Sequence, residues 1–116
     1  NGFVWTALSH DEYKKMGCPV GLREYVSDHF IQSIKGSQFG VVMIEEEPGK
    51  LCIGLRSKTG LDISIFAKKL GGGGHLYRAG ATVYGKDFEK VIALIRNTYC
   101  KYEKAFEGRP RGPAGL

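Results

Sequence analysis

The sequence lacks the features that would place the protein in a membrane or in a disulfide-stabilised extracellular scaffold. Apolar runs such as Val41-Val42-Met43-Ile44 stop far short of the ~20 residues that a membrane-spanning helix needs, so no membrane is predicted as a partner. Its three cysteines, Cys18, Cys52 and Cys100, are an odd number at wide spacing, with no C-x-x-C pair. Because no disulfide framework can use all three, we expect a reducing cytoplasmic location.

A targeting signal and a metal-binding motif are also missing. No basic region followed by an apolar stretch stands at the start. The printed sequence begins without methionine in a strand-like segment, so we interpret it as a piece of a longer protein. A hydrolytic two-metal centre needs several carboxylates and histidines around ions about 3.5–4 Å apart. The chain offers only His10, His29 and His75, of which we expect His10 to begin a short helix and His29 to be partly buried, so no catalytic residue and no metal ligand is predicted.

What the chain does contain is an excess of positive charge and of glycine. Lys and Arg number 17 against 12 Asp and Glu, which gives a net charge of +5 and a pI of about 9.2. This balance suits a polyanionic partner without identifying one. Seventeen glycines in 116 residues is about twice the ordinary share, and four of them are consecutive.

The pattern of apolar residues and breakers predicts elements in the order β-α-α-β-β-α-β-α. The predicted strands cover 3–8, 39–44, 50–56 and 79–84, and the predicted helices are a short one capped by Ser9 and longer ones over 22–34, 62–70 and 86–106. The fold class is therefore α/β (α+β): a single compact domain with a mixed sheet of about four strands packed with helices. We expect residues 1–107 to form it and the basic tail 108–116 to be disordered.

The most unusual stretch is Lys68-Lys69-Leu70-Gly71-Gly72-Gly73-Gly74-His75. Four consecutive glycines cost backbone entropy that packing does not return. Their main-chain N–H groups can approach a phosphate with no Cβ in the way, and His75 and the nearby Arg78 add side-chain donors. We interpret the stretch as an anion-binding loop. The alternative is a flexible hinge, although flexible linkers usually mix glycine with serine.

Arg56 is the second candidate. Strand alternation puts it on the same face as Gly54, so a ligand can lie close to that face, and Ser57 adds a hydroxyl donor. The alternative is that Arg56 makes a weak surface ion pair with Asp62 or with a carboxylate of Glu45–Glu47.

Together these residues resemble the C-terminal, DHH-associated domain of DHH-type phosphoesterases. The resemblance is carried by Leu55-Arg56-Ser57-Lys58, Asp62-Ile63, the block from Ala67 to His75, and Ala79-Gly80-Ala81. The Gly-Gly-Gly-His signature with a nearby Ala-Gly is fairly specific, and the likeness runs from Trp5 to Phe106. The nearest group is that of the nano-RNases, which degrade short oligoribonucleotides and dephosphorylate 3′-phosphoadenosine 5′-phosphate.

The resemblance implies a substrate-binding domain. In that family an N-terminal domain rich in Asp and His holds manganese and performs the hydrolysis, so this chain is expected to hold no cofactor itself and to bind rather than cut. The implied partners are short RNA or a phosphorylated nucleotide, that catalytic domain of the same chain, and a second copy in a full-length homodimer. The implied substrate contacts are Gly72, Gly73, Gly74, His75, Arg56 and Ser57. Arg78 stands where the family usually has a small residue, so it either alters packing under the loop or adds a phosphate contact.

Two other functions stay open. A non-catalytic nucleic-acid-binding module, as in the related appended domain of alanyl-tRNA synthetases, would use the basic charge and aromatics such as Tyr77. A structural module would self-associate through the apolar stripe of helix 86–106, although such a stripe more often covers the sheet of its own domain. RNA, DNA, bisphosphorylated nucleotides, cyclic dinucleotides and the polyphosphate of an exopolyphosphatase-like phosphoesterase all stay open as substrates, because each presents phosphates to a glycine loop.

Overall fold

The computed structural model describes residues 2–33 and 35–107. These residues form β1 (Phe3–Leu8), α1 (His10–Lys15), α2 (Leu22–Ser33), β2 (Phe39–Glu47), β3 (Lys50–Ser57), α3 (Ser64–Lys69), β4 (Gly73–Gly74), β5 (Arg78–Tyr84) and α4 (Phe88–Glu107). The predicted α+β domain is confirmed, with one more strand than expected because part of the glycine run forms β4. The predictions for Ile34 and for the tail 108–116 lie outside the described residues.

The five strands form one mixed sheet in the order β1-β2-β3-β5-β4. β1 runs parallel to β2, and every other neighbouring pair is antiparallel. The antiparallel strands β2 and β3 are joined by a turn at Pro48-Gly49, where Gly49 has φ 79°, the value that the third residue of a type II turn requires. β2 continues past the predicted end at residue 44 to Glu47, with an irregular pairing between Glu45 and Glu47.

One face of the sheet carries the main core beneath α3 and α4. Phe39 stacks on Phe3 and on Phe66, with ring centroids 4.9 and 4.8 Å apart. The predicted apolar stripe of α4 packs into this core through Phe88, Val91, Ile92, Ile95, Tyr99 and Tyr102. The stripe therefore covers the domain's own sheet, and the side chain of Phe106 lies outside the described set.

α2 packs on the opposite face, where two glycines let the helix approach closely. A Cβ at Gly40 would lie 2.4 Å from Ile31, and one at Gly54 would lie 2.6 Å from the Ser27 hydroxyl. Ile31 and Ser27 are both fully buried. The glycines of β2 and β3 therefore decide which side of α2 faces the sheet.

The solvent side of α2 differs from the prediction. Tyr25 and His29 are both exposed, and their ring centroids lie 4.2 Å apart in a stacked arrangement. The Nδ1 of His29 lies 2.8 Å from the Tyr25 carbonyl oxygen. The expectation that His29 is partly buried is therefore wrong, because the close contact of Ser27 with Gly54 turns the other side of the helix outward.

The helix starts agree with the prediction in one case and differ in another. Ser9 and Glu12 form the predicted reciprocal capping box at the start of α1. The helix predicted over 62–70 begins later, because α3 starts at Ser64. The Asp62 carboxylate accepts hydrogen bonds from the amide and the hydroxyl of Ser64, at 3.1 and 2.6 Å, and so stabilises a turn that precedes the helix.

Glu45 links the β2–β3 turn to the start of α1. Its carboxylate accepts hydrogen bonds from the amides of Gly49 at 2.9 Å and His10 at 3.0 Å, and these bonds hold the pKa of Glu45 below its ordinary value. A lowered folded-state pKa stabilises the fold above the unfolded-state pKa, and that stabilisation is lost as the pH falls through the folded-state value. We expect Glu45→Gln to lower the free energy of unfolding by about 1–2 kcal/mol at neutral pH, as measured by urea unfolding.

The same substitution should make less difference as the pH falls through the folded-state pKa of Glu45, because the wild-type carboxylate then becomes neutral as well. Glu47→Gln is the matched control, since Glu47 is exposed and its contact with Lys50 is a 3.7 Å surface ion pair. A difference between wild type and Glu45→Gln that does not change with pH would contradict the role assigned to this carboxylate.

Candidate functional site

The glycine run folds into a hydrogen-bonded hairpin with β5. Gly71 follows α3 with φ 86°, the left-handed conformation that commonly ends a helix. A Cβ at Gly72 would lie 2.1 Å from the carbonyl oxygen of Gly80, and one at Gly74 would lie 2.6 Å from the carbonyl oxygen of Arg78. Three of the four glycines are therefore required by the chain itself: one ends a helix, and two let the main chain lie against β5.

Gly73 differs from its neighbours. It pairs with Gly80 across the β4–β5 ladder. A Cβ at this position would meet no heavy atom of the described residues within 4 Å. Packing within the domain therefore does not require glycine here, and the main chain is bare towards open space.

Most amides of the run are already bonded within the domain. The amide of Gly71 donates to the Lys68 carbonyl at 3.0 Å, that of Gly72 to the Ala67 carbonyl at 2.7 Å, and that of His75 to Arg78 at 2.7 Å. Because hydrogen-bonding positions alternate along an antiparallel pair, the intervening Gly74 directs its amide away from β5. The run therefore presents one outward amide at a sheet edge, in place of the nest of free amides that the glycines suggested.

The hairpin is also fixed at its tip, which argues against a flexible hinge. The Tyr77 carbonyl accepts a hydrogen bond from the Ser57 amide at 2.9 Å, and the Leu76 carbonyl accepts one from the Ile63 amide at 3.1 Å. These bonds tie the tip to the end of β3 and to the segment before α3. The alternative of an unstructured connection is not what the structure shows.

Three basic candidates lie side by side on the α2 face of the sheet. Arg56 and Arg78 are direct partners in the β3–β5 register. His75 lies opposite Arg78, as the hydrogen bond between their main chains shows. We call Arg56, Arg78 and His75 the basic row.

A row of glycines lies beside the basic row. Gly54, Gly80 and Gly73 are paired in turn across β3, β5 and β4. Each stands two residues from a member of the basic row, so both rows share one face of the sheet. We call these three residues the glycine floor, because together they form a strip of main chain without side chains.

Asp28 of α2 connects the two arginines. Its Oδ1 accepts a hydrogen bond from Nε of Arg56 at 2.9 Å and one from Nη1 of Arg78 at 3.2 Å. The bond from Arg56, followed by the charges of both guanidinium groups, holds the pKa of Asp28 below its ordinary value despite partial burial. The carboxylate is therefore ionised at neutral pH.

The two arginines differ in what they can offer a ligand. The Arg56 side chain is 11% exposed, and its Nε and Nη1 are bonded to Asp28 and to the Leu55 carbonyl. The Arg78 side chain is 58% exposed, and its described contact uses one of its three nitrogens. Arg78 is therefore the member of the pair that faces an incoming anion, and Arg56 is anchored behind it.

Two predictions at the end of β3 need restating. Arg56 makes an ion pair, but the predicted partners, Asp62 and the carboxylates of Glu45–Glu47, are wrong. Its partner is Asp28 of α2, a helix that the sequence pattern did not connect to Arg56. Ser57 is buried and pairs with Phe39, so alternation places it on the core face, opposite the basic row. The structure does not bring Ser57 together with the other candidates.

The two arginines of the basic row and two residues of the glycine floor line a cleft of about 250 Å³ between α2 and the sheet, and His75 and Gly73 lie outside its lining. Its walls include Arg23, Glu24, Gly54, Arg56, Arg78 and Gly80. Arg23 and Glu24 form an ion pair with each other. Counting Asp28, the three arginines and two carboxylates leave the cleft with one net positive charge.

Within residues 2–33 and 35–107, no three His, Cys, Asp or Glu side chains come together as a metal site. The manganese that the resemblance implies therefore finds no fitting ligand set in this part of the chain. The helices that the structure describes also lack the length and apolar character needed to cross a bilayer.

Sequence reasoning placed Gly54 beside Arg56 but missed Asp28 and Gly80 as parts of the site. Nothing near Asp28 in the sequence marks it, because its partners follow 28 and 50 residues later. The two glycines carried a usable signal: Gly54-x-Arg56 and Arg78-x-Gly80 are mirror-image spacings that an antiparallel pair places side by side.

The mixed sheet of five strands, packed with helices and closed at one edge by the glycine hairpin, defines a small α+β domain. Residues 18–100 match the DHHA1 domain, and the chain belongs to this family. This confirms the resemblance drawn from the glycine run and its flanking residues.

Relatives of known structure or activity share parts of the chain. It is 38% identical over 77 residues to the bifunctional oligoribonuclease and PAP phosphatase NrnA of Thermus thermophilus, which covers 60% of this chain and 24% of that protein. An exopolyphosphatase-related protein from Bacteroides fragilis superposes with a TM-score of 0.70 and 25% identity, covering 89% of this chain and 30% of that one. The C-Ala domain of Aquifex aeolicus alanyl-tRNA synthetase gives a TM-score of 0.59 over 82% of this chain and 87% of that one; at 16% identity this likeness shows the fold.

Proposed function

We propose that this chain is the substrate-binding domain of a phosphoesterase that hydrolyses short oligonucleotides or 3′-phosphoadenosine 5′-phosphate. The observation that carries the proposal is the strand register that sets the basic row beside the glycine floor on the α2 face of the sheet, where Gly73, His75 and Arg78 are exposed. The substrate class is supported by the relative from Thermus thermophilus, which is described as an oligoribonuclease and PAP phosphatase.

The arrangement supplies the contacts that a nucleotide phosphate needs. Arg78 offers the exposed edge of a planar guanidinium, which can donate two parallel hydrogen bonds to phosphate oxygens. His75 donates from the neighbouring position, and the outward amide of Gly74 is at the same edge. The bare main chain at Gly73 lets the sugar or phosphate approach without meeting a Cβ.

In this proposal the chain positions the substrate and does not cleave it. Holding a phosphate in a fixed place removes much of the entropic cost of the reaction. The hydrolysis belongs to a manganese-holding N-terminal domain of the same protein, with which this domain would share the substrate. A cytoplasmic location and a homodimer of the full-length protein are further parts of the proposal, the first in keeping with three unpaired cysteines.

The proposal is tested by titrating a fluorescently labelled short oligoribonucleotide into the 116-residue chain. His75→Ala removes a donor, and Gly73→Ala puts a methyl group into the space that the ligand would occupy, so we expect each to weaken binding by about 5- to 10-fold. Both variants should keep the wild-type melting temperature, because His75 is exposed and no described atom lies near a Cβ at Gly73.

His29→Ala is the matched control, since it removes an exposed histidine from α2 that lies outside the basic row. It should bind the oligonucleotide with an affinity close to that of wild type. Wild-type affinity in both His75→Ala and Gly73→Ala would remove the proposed site.

A second candidate function is favoured by lysines on the opposite side of the domain. Lys69 of α3 and Lys101 of α4 line a groove of about 470 Å³ between these helices, and exposed Lys86 and Lys90 continue the basic surface. This surface suits the backbone of a longer nucleic acid, as a non-catalytic binding module would need. Salt-dependent binding of structured RNA in preference to di- and trinucleotides would favour this candidate over the first.

A further inference from the structure

We infer that Asp28 sets the net charge of the cleft, so that of the two proposed substrates the cleft favours the singly charged phosphodiester of a short oligonucleotide over the doubly charged phosphomonoesters of 3′-phosphoadenosine 5′-phosphate and over other multiply charged phosphates. This inference rests on the proposed function, because it concerns the same site. Asp28 is a specificity-determining residue in this account, and the phosphate contacts are still made by the basic row.

Two guanidinium groups share one carboxylate. Both Arg56 and Arg78 donate to the same oxygen of Asp28, at 2.9 and 3.2 Å. One of the two positive charges is therefore balanced inside the protein before any ligand arrives. One charge is left for the ligand, which equals the charge of a single phosphodiester.

The other charged groups of the cleft do not change this count. Arg23 and Glu24 neutralise each other across their own ion pair. His75 lies opposite Arg78 but is not among the residues that line the cleft. A phosphomonoester brings two negative charges and a polyphosphate more, so each meets a site with too few cations and with a fixed anion at its wall.

The effect of that anion must grow with the charge of the ligand. At a separation of about 8 Å and an effective dielectric constant of about 60, the repulsion between Asp28 and each unit of ligand charge corresponds to about 3-fold in affinity. A carboxylate that acted solely by holding the arginines in place would change the affinity for all anions by a similar factor. Dependence on ligand charge thus separates a charge-setting role from a positioning role.

Asp28→Asn is the decisive substitution, because asparagine keeps an oxygen that can accept from both guanidinium groups while it removes the charge. The 116-residue chain is titrated calorimetrically at about pH 8 and low salt with three ligands. They are a dinucleotide with hydroxyl ends, the same dinucleotide with a 5′-phosphate, and tripolyphosphate.

In Asp28→Asn we expect the hydroxyl-ended dinucleotide to bind about 3-fold more tightly and tripolyphosphate at least about 30-fold more tightly, with the phosphorylated dinucleotide between them. About 0.5 M salt should shrink all three gains. Asp11→Asn, which makes the same charge change on exposed α1, should leave the affinities within about 2-fold of wild type.

A gain of the same factor for all three ligands, or a loss of binding in a folded Asp28→Asn protein, would overturn the inference. If that variant is unfolded, Glu24→Gln is tested in its place, because Glu24 lines the same cleft. Its loss should produce the same charge-dependent gain in ligand affinity. Wild-type binding that is insensitive to His75→Ala would instead contradict the proposed function, so the two failures are distinguishable.

Discussion

Gly72→Ala is expected to lower the free energy of unfolding by about 2–3 kcal/mol and to detach β4 from β5. The new Cβ would lie 2.1 Å from the carbonyl oxygen of Gly80 and 2.7 Å from Cα of Ala81. Both atoms belong to the main chain of β5, which is paired with β3 along its length and cannot shift without breaking that ladder. Urea unfolding measures the loss, and faster hydrogen exchange at the His75 amide reports the detachment of β4.

Gly73→Ala is the matched control, one residue further along the same run. Its Cβ meets no described heavy atom within 4 Å, so the free energy of unfolding should stay within about 0.5 kcal/mol of wild type. Equal destabilisation by the two substitutions would show that the run is uniformly structural. The expected contrast would instead divide it into residues that fold the hairpin and one that leaves room for a ligand.

The local sequence pattern was sufficient to predict most helices and strands, but it could not predict which residues face each other across the sheet. The alternation in Leu51, Ile53 and Leu55 predicts β3, and the 3.6-residue period of the last helix predicts α4, because each pattern reports burial of that element on its own. The orientation of α2 depends on Gly40 of β2 and Gly54 of β3, because the missing side chains there let the helix approach the sheet. The periodicity of apolar residues within α2 carries no information about these two glycines.

The candidate site shows the same division. Arg56, Arg78 and His75 were each singled out from local context, but their alignment follows from the register of three strands. The glycine run was predicted as a ligand loop because of its entropic cost, whereas helix termination and close strand contact explain most of it. Asp28 was missed, since an ion pair between distant residues leaves no mark in either neighbourhood.

The fold itself does not decide the substrate. The two similar proteins with the higher identities are described, respectively, as an oligoribonuclease and PAP phosphatase and as exopolyphosphatase-related. One fold can serve different phosphate compounds when the side chains around the site differ. In this chain the feature that would discriminate between phosphate compounds is the charge of the cleft, which the arginines and Asp28 set.

Arg56→Met is expected to weaken oligonucleotide binding at least about 10-fold and to lower the free energy of unfolding by about 1–2 kcal/mol. Methionine fills a similar length but removes both anchoring bonds, to Asp28 and to the Leu55 carbonyl. The Asp28 carboxylate then keeps Arg78 alone as its described partner and draws that exposed guanidinium away from the ligand. Binding is measured with the labelled oligonucleotide and stability with urea.

Arg78→Met separates the two effects. Arg78 is largely exposed, so its loss should reduce binding to a similar extent while stability changes by about 0.5 kcal/mol or less. Equal destabilisation by the two substitutions, or wild-type affinity in Arg56→Met, would contradict the division of roles within the basic row.

The acid dependence of stability gives an independent check on Arg56. Its hydrogen bond is the largest cause that lowers the pKa of Asp28, so part of the wild-type stability is present above the unfolded-state pKa and is lost as the pH falls through the folded-state value. In Arg56→Met the folded-state pKa moves back towards the ordinary value, and the drop in stability between about pH 5 and pH 3 should become shallower. An unchanged acid profile would show that Asp28 does not depend on Arg56 for its charge.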